Sequence, residues 1–599
     1  MRRTIGVILI VALTVLATLA ETMRDNLWIS YRDYSSPFLT DLPVGPSRPP
    51  VAQRMVFVLV RGLRLDESLQ MPTLRDLRQR GSDLVVQHDA PTYRLSAWET
   101  LFTGARAEIH GATTNFGSRA GAPISLFGAL QKVGQSSAIV GSQTLGDAFS
   151  SEVQRFSLVD DSNVAKRDDE AIRQALDILH DTANPVRLLC VELTAIEQTT
   201  LNNPANLHAA ISVTDTRIKT LLDSLNLGTD VLVIASDRGL SARGTDGGAE
   251  PEVAQTPLVM AGPGIAAGSQ ALIRATDVAP TLAALLGAPI PVQAQGQVAL
   301  TALNLPDTSA SNAIAHSAVV TSTLVSTSTL AGGGLAPLPA TLLASALQLT
   351  TFYENWSAVV QQPRFAAELL RQQQQAIQSG SINAYQKLVI DINARADAAT
   401  QAKLNAQRTQ RLPVVISMGI MLLVISGMVL ASRRWQVFIG AAFYLVLWYV
   451  AYFLLSGDQF SLSMFANSDP TRFFIEWQRY SALFMLICSI IVALTTGHED
   501  DNLEAVTTVL TTILLIVAIQ VVLVAWFYLQ WGTHFTWTLP DSSMLVMALT
   551  ALTQISSLSL QIVPELPNLP IPLIVGFITL AIYSLVHGRS RSESYGRLR

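Results

Sequence analysis

Two cysteines stand in 599 residues, Cys190 and Cys488. Neither has an obvious partner, so no disulfide framework is expected, and so few thiols leave the redox compartment unfixed. Basic residues are also short: 40 Lys and Arg against 45 Asp and Glu leave a net charge of −5. That balance gives no electrostatic footprint for a nucleic-acid partner. Charge of either sign is scarce, at 14% against 49% hydrophobic residues, with a mean hydropathy of +0.35. An ordinary water-soluble domain is less apolar, so several membrane spans are implied.

Met1-Arg2-Arg3 precedes the apolar run Thr4–Ala20. A basic flank before an apolar run reads as a signal anchor with a cytoplasmic N-terminus, or as a cleaved signal peptide; the anchor over 1–22 is the reading taken. A proline-rich linker fills the remainder of 23–54. The run Met55–Val60 is a buried strand ending at Arg61-Gly62, and Met71–Gly81 is a short helix with Gly81 as its C-cap. Further strands are expected at Ser137–Val140, Val186–Val191 and Val231–Ala235, and helices over Asp168–Leu179 and Ala205–Leu225. Beyond residue 300, Thr308–Gly334 is rich in Ser, Thr, Ala and Gly. Leu338–Arg411 reads as two or three helices, so 301–412 forms a linker and helical stalk.

The last third is membrane. Apolar segments fall at Pro413–Ala431, Trp435–Leu455, Tyr480–Thr495, Ala505–Tyr528, Met544–Gln561 and Ile571–Val586, giving a domain over 413–588 and a basic tail over 589–599. Met544–Gln561 contains Thr550, Thr553, Gln554, Ser556, Ser557 and Ser559 and is the weakest span, so five or six crossings are expected. Arg433-Arg434 belongs on the cytoplasmic side, which leaves the large preceding domain outside. The protein is therefore expected to be a multi-pass membrane protein with its large domain extracytoplasmic. No paired Asp or Glu lies within a span, which argues against a transporter or channel.

The organising stretch is Asp230–Ile265, DVLVIASDRGLSARGTDGGAEPEVAQTPLVMAGPGI. An apolar, β-branched strand runs into Ser236-Asp237-Arg238-Gly239, then a glycine-rich loop, then Thr256-Pro257-Leu258-Val259 and Gly262-Pro263-Gly264. Ala90–Asn115 (APTYRLSAWETLFTGARAEIHGATTN) and Thr276-Asp277-Val278-Ala279-Pro280-Thr281-Leu282 with Leu285-Leu286-Gly287 are two further motif passages. Together these resemble the alkaline phosphatase superfamily, nearest to its type I phosphodiesterase and membrane ethanolamine-phosphate transferase branches, with sulfatase-like relatives. The resemblance covers Met55–Gln297. It implies an α/β fold in which a mostly parallel sheet is sandwiched by helices over 55–300, joined here to the stalk and an α-helical membrane domain.

The same resemblance implies a site. The superfamily holds zinc, manganese or calcium on aspartates and histidines at strand ends, beside a Ser or Thr nucleophile that opens a helix. In this sequence the first ligand position holds Arg61 and the nucleophile position holds Arg94, with Thr92 and Ser96 each two residues away. The two histidine positions of the Asp230–Ile265 stretch hold Arg238 and Asp246, while Asp237 is kept. The remaining Asp and His positions fall on Glu197 and Leu201. Guanidinium stays protonated and offers no lone pair to a metal. A fixed cation about 4 Å from a dication repels it by roughly 8 kcal/mol at an effective dielectric of ~20. The expectation is no metal cofactor, with Asp237, Asp246 and Glu197 paired to arginines and Arg61, Arg94 and Arg238 as anion-binding candidates. His110 and His88 read as local structural histidines and Trp98 as core. The leading function is a pseudoenzyme that binds, scaffolds or regulates at the cell surface. The alternative is a divergent phosphodiesterase or phosphoethanolamine-type transferase acting on envelope lipid or glycan. Expected partners are membrane lipid, a phosphorylated lipid or glycan, and a protein.

Overall fold

The computed structural model describes residues 2–37, 49–116, 123–159, 163–291, 293–304, 382–431, 434–455, 457, 459–465, 470–495, 502–560 and 569–581. They form two compact units, one of residues 32–403 with 536–539, the other of 1–31, 404–535 and 540–599.

The first unit is built on an eight-stranded sheet: β1 Arg54–Val60, β2 Ser82–Gln87, β3 Ser137–Gly141, β4 Arg155–Leu158, β5 Leu188–Leu193, β6 Asp230–Ala235, β7 Gln255–Ala261 and β8 Gln270–Arg274. Their spatial order is β4-β3-β5-β1-β6-β7-β2-β8. Only β7 runs against its neighbours β6 and β2; every other pairing is parallel. The central strand β1 aligns Phe57 with Cys190 of β5 and with Val233 of β6. Its sequence RMVFVLV is apolar at consecutive positions because both faces are covered. Met55, Phe57 and Leu59 enter a core with Phe102, Phe127 and Phe149, whereas Val56, Val58 and Val60 enter a second core with Leu189, Val191 and Leu232. Each such side chain contributes about 1.5–3 kcal/mol by leaving water. The α/β class read from the sequence is the fold found.

Several details differ. The strands β2, β4, β7 and β8 are not among those expected: SDLVVQ, RFSL and QALIR are short and mix polar with apolar residues, and QTPLVMA carries Pro257. Gly81 does follow the Pro72–Arg80 helix, but with extended backbone rather than a left-handed cap. Its constraint is close approach, since a Cβ there would lie 1.9 Å from the Met260 carbonyl oxygen.

In the second unit the N-terminal helix runs Arg2–Arg32, well past the expected end of the anchor. No Pro or Gly interrupts Ala20–Arg32, and the added turns bury Leu27, Trp28 and Tyr31. Trp28 meets Phe465 edge-on at 5.5 Å and Tyr31 meets Phe535 at 6.5 Å. The expected linker therefore begins beyond Arg32. Of the expected stalk, residues 305–381 lie outside the described residues, as do the linker at 308–334 and the polar run at 372–375. From Ile382 the chain is one 50-residue helix, continuous through Pro413 to Ala431.

Among the described residues five helices are long and apolar enough to cross a membrane: Gly6–Arg32, Gln401–Gly427, Trp435–Leu454, Arg472–Thr495 and Glu504–Trp531. The chain is thus a membrane protein. Ser542–Ser556 and Ile571–Ala581 are shorter. The polarity that weakened Met544–Gln561 has a packing reason, for Leu545, Val546 and Ala548–Ser556 are all buried within the unit. Ser557 Oγ lies 3.0 Å from Ser481 Oγ, which is 2.6 Å from Tyr444 Oη, and Gln478 Nε2 donates to the carbonyls of Ser556 and Ser559 at 3.0 and 2.9 Å. Hydrogen bonds of this kind join helices where no water is present to satisfy them.

Candidate functional site

The parallel strands β1, β2, β5, β6 and β8 end on one edge of the sheet, and open α/β sheets take their ligands there. Arg61 follows β1, Glu192 is the penultimate residue of β5, and Asp237 and Arg238 follow β6. The Ala195–Asn202 helix after β5 brings in Glu197, and the loop after Arg238 returns Asp246. Arg94 opens the Arg94–Thr103 helix, so the residue at the superfamily's nucleophile position stands at a helix start.

These residues meet in a buried ion-pair cluster. Arg238 is fully buried and its guanidinium faces three carboxylates: Nη1 donates to Asp237 Oδ2 at 2.5 Å, Nη2 to Glu197 Oε1 at 2.5 Å, and Nε to Asp246 Oδ2. Arg61 Nη1 lies 3.2 Å from Glu192 Oε1, and its Nη2 pairs with Glu197 Oε2. Asp237 Oδ1 also accepts from the backbone N–H of Gly62 at 3.2 Å and of Arg238 at 3.0 Å. Its Oδ2 accepts from the Trp98 indole at 2.9 Å. The Cζ atoms of Arg61 and Arg94 each stand 5.6 Å from the Trp98 ring centroid, a cation–π arrangement.

Burial opposes every charge here, and the neighbours decide the outcome. For Arg238, burial is outweighed by Asp237, Asp246 and Glu197, which hold the guanidinium more firmly protonated than usual. Glu197 is likewise desolvated, yet Arg61, Arg238 and Arg94 bring its pKa below the ordinary carboxylate value. Asp246 goes the other way: burial raises it, and the single guanidinium of Arg238 offsets only part of that. Arg94 is lowered by burial and then by repulsion from Arg61 and Arg238.

All six site residues singled out in the sequence come together, but the three arginines are not equivalent. Arg61 and Arg238 are committed to carboxylates. Arg94 is half-buried, and no ion pair or hydrogen bond ties its guanidinium among the described residues. The nearest hydroxyls do not replace the nucleophile. Thr92 Oγ1 donates to the Gly248 carbonyl at 2.7 Å and accepts the Gly247 N–H at 3.0 Å, which fixes the glycine loop on the helix start. Gly247 adopts φ +109°, and a Cβ there would stand 2.5 Å from the Tyr93 ring. Two contributors were missed. Glu192 was signalled by its charge inside the otherwise apolar strand LLCVEL, and Trp98, read as core, is buried yet donates into the cluster. His88 and His110 hold local bonds, His88 Nε2 to Thr256 Oγ1 at 2.9 Å and His110 Nε2 to Thr100 Oγ1 at 3.0 Å.

No family model matches the chain, and no curated protein matches it. Solved structures do. Murine ectonucleotide pyrophosphatase/phosphodiesterase 5 is 15% identical over 42% of this chain and 100% of its own, with a TM-score of 0.36. A protein in the alkaline phosphatase superfamily from Vibrio parahaemolyticus is 15% identical over 48% of this chain and 80% of its own, at 0.35. The 2-O GAG sulfatase BT1596 is 12% identical over 41% and 73%, at 0.35. The likeness is one of fold, and in each case it covers less than half of this chain.

One expectation is corrected. The sequence was read as taking no metal cofactor, whereas the solved neighbours are enzymes of a metal-dependent superfamily. The physical reason lies in the donors. Counting arginines overlooked that Glu192, Glu197, Asp237 and Asp246, the acidic groups an ion would need, still converge on the strand ends. In the arrangement described, guanidinium groups occupy those carboxylates and the set does not fit a two-metal centre, so no catalytic step is derived through one.

Proposed function

We propose that this sheet unit is an extracytoplasmic alkaline-phosphatase-superfamily domain that has lost phosphoryl and sulfuryl transfer and works by binding, as a scaffold or regulator at the cell surface. One observation carries the reading: the helix that should begin with a nucleophilic hydroxyl begins with Arg94, and Arg94 is the site's one arginine without a carboxylate partner among the described residues. A guanidinium cannot attack phosphorus, but it binds phosphate oxygens through a planar fork. The ligand in this reading is a phosphorylated lipid or glycan, with membrane lipid and a protein partner around it. The outside location is supported by Arg2 and Arg3 before the first span and Arg433-Arg434 between later ones.

The test uses the full-length protein in detergent. Aryl phosphate mono- and diesters are assayed with added zinc, manganese or calcium, and inorganic phosphate binding is followed by calorimetry. The expected result is no turnover, with phosphate binding weakened about tenfold or more by Arg94→Ala, the scale of losing a charge-assisted hydrogen-bonded pair. Turnover abolished by chelator and by Asp237→Ala would establish the divergent phosphodiesterase or transferase instead.

A further inference from the structure

The helices Trp435–Tyr449, Thr471–Thr495, Asn502–Trp531 and Ser542–Ser556 of the second unit enclose polar side chains. One group of these is closed on itself. Tyr444 Oη lies 2.6 Å from Ser481 Oγ and donates to Gln554 Oε1 at 3.5 Å, and Ser481 Oγ lies 3.0 Å from Ser557 Oγ. Trp448, Gln520 and Thr550 are not closed in this way. They are 1%, 1% and 3% exposed. Yet the Trp448 indole N–H, both amide atoms of Gln520 and the Thr550 hydroxyl have no hydrogen-bond partner among the described residues.

Helix register brings these three to one level. Trp435–Tyr449 and Asn502–Trp531 run side by side in the same direction, because Arg434 reaches Thr508 and a Cβ at Gly440 would stand 2.8 Å from the Thr512 side chain. Eight residues beyond Gly440 and Thr512, about two turns along each helix, come Trp448 and Gln520. Ser542–Ser556 packs on Asn502–Trp531 after a short loop, so it returns in the opposite sense. One turn along from the Tyr444–Gln554 contact, the same level therefore holds Trp448 and Thr550. A buried indole, amide and hydroxyl without partners each cost free energy, and bulk water does not reach polar groups inside a membrane bundle. The three side chains offer donors and acceptors but no charge. An ion would meet no counter-charge there, whereas a neutral molecule that both donates and accepts would satisfy all three.

We propose that Trp448, Gln520 and Thr550 form a binding site for a retained water molecule, which accepts from the indole and links the amide to the hydroxyl. About three hydrogen bonds to otherwise unmet polar groups is the usual number for a buried water. The site is independent of the cluster around Arg94. The test uses the full-length protein in detergent, labelled with 15N-tryptophan, with the Trp448 indole resonance identified by its loss in Trp448→Phe. That resonance should show a magnetisation-transfer cross-peak at the water frequency, a readout that needs no variant to fold. Gln520→Met and Thr550→Val should each remove the cross-peak, and Thr550→Ser should keep it. Gln520→Met should also lower Tm by about 2–4 °C, the scale of one lost hydrogen bond in a unit of this size. An indole without the cross-peak means that the three groups bond directly or stay dry, and would overturn the proposal. So would a cross-peak that survives both Gln520→Met and Thr550→Val, or a Tm raised by Gln520→Met, as expected when an unmet amide is removed.

Discussion

Replacing Arg238 by methionine isolates what the buried cluster contributes. Methionine keeps an unbranched, flexible stem out to about the position of Nε and removes the rest of the guanidinium with its charge and donors. Its partners fare differently. Glu197 keeps Arg61, and Asp237 keeps the indole of Trp98 and the backbone N–H groups of Gly62 and residue 238. Asp246 loses the guanidinium at Oδ2, and its Oδ1 has no hydrogen-bond partner among the described residues. One fully buried carboxylate is therefore left without compensation, which costs about 3–5 kcal/mol. For a domain of this size that corresponds to a fall in Tm of roughly 6–20 °C. The double variant Arg238→Met/Asp246→Leu removes the orphan as well and should recover more than half of the loss, since an apolar pair can replace a buried ion pair at little net cost. The single variant's deficit should also shrink in acid, where Asp246 is neutralised. Thermal unfolding of the full-length protein in detergent, followed by tryptophan fluorescence at neutral and acid pH, provides the readout. A single-variant loss under about 1 kcal/mol, or a double variant no better than the single, would refute the reasoning.

Trp98→Phe keeps the buried ring but removes the indole donor to Asp237, so chemical denaturation should show a loss of about 1–3 kcal/mol, and no loss would mean that this bond is idle. Glu197 has a folded pKa below its unfolded one, so it contributes stability above the unfolded value that is lost as pH falls through the folded value. Glu197→Gln should accordingly be less stable at neutral pH and show a flatter acid limb than the parent, and parallel limbs would rule this out. For topology, a cysteine introduced at position 433 should resist impermeant thiol reagents on intact cells; ready labelling would put that turn, and with it the reading of the sheet unit, on the wrong side.

The sheet was legible where strands are buried on both faces. MVFVLV and DVLVIA declare themselves by continuous apolar, β-branched runs, and both lie at the centre of the sheet. Strands β4 and β8, at its two edges, and β2, next to β8, mix polar with apolar residues and carry no such signal. The site residues after strands β1 and β6 were legible for a related reason: charge placed directly after a buried strand has to sit at its carboxyl end. Glu197 was harder, because it reaches the cluster from the Ala195–Asn202 helix, where no fixed offset from the strand announces it. In the membrane unit, composition marked Met544–Gln561 as anomalous but could not say why. Ser556, Ser557 and Gln554 meet Arg24, Ser481 and Tyr444 on neighbouring helices, a tertiary fact that a hydropathy window does not contain.

The arginines and carboxylates of the cluster depend on one another. Four carboxylates drawn to one point under a buried sheet edge cannot remain ionised there without cations, because each would forfeit several kcal/mol of hydration. In the arrangement described that charge comes from guanidinium groups at the ends of β1 and β6. A metal ion is exchangeable and polarises whatever oxygen reaches its open coordination position. A guanidinium tied to three carboxylates is neither exchangeable nor open, so it neutralises the acidic groups without presenting an electrophile. Arg94 stands outside that exchange of charge, half-buried at the start of its helix and repelled by Arg61 and Arg238. An incoming anion would relieve that repulsion, which is the ground on which anion binding is proposed for Arg94 and not for the other two.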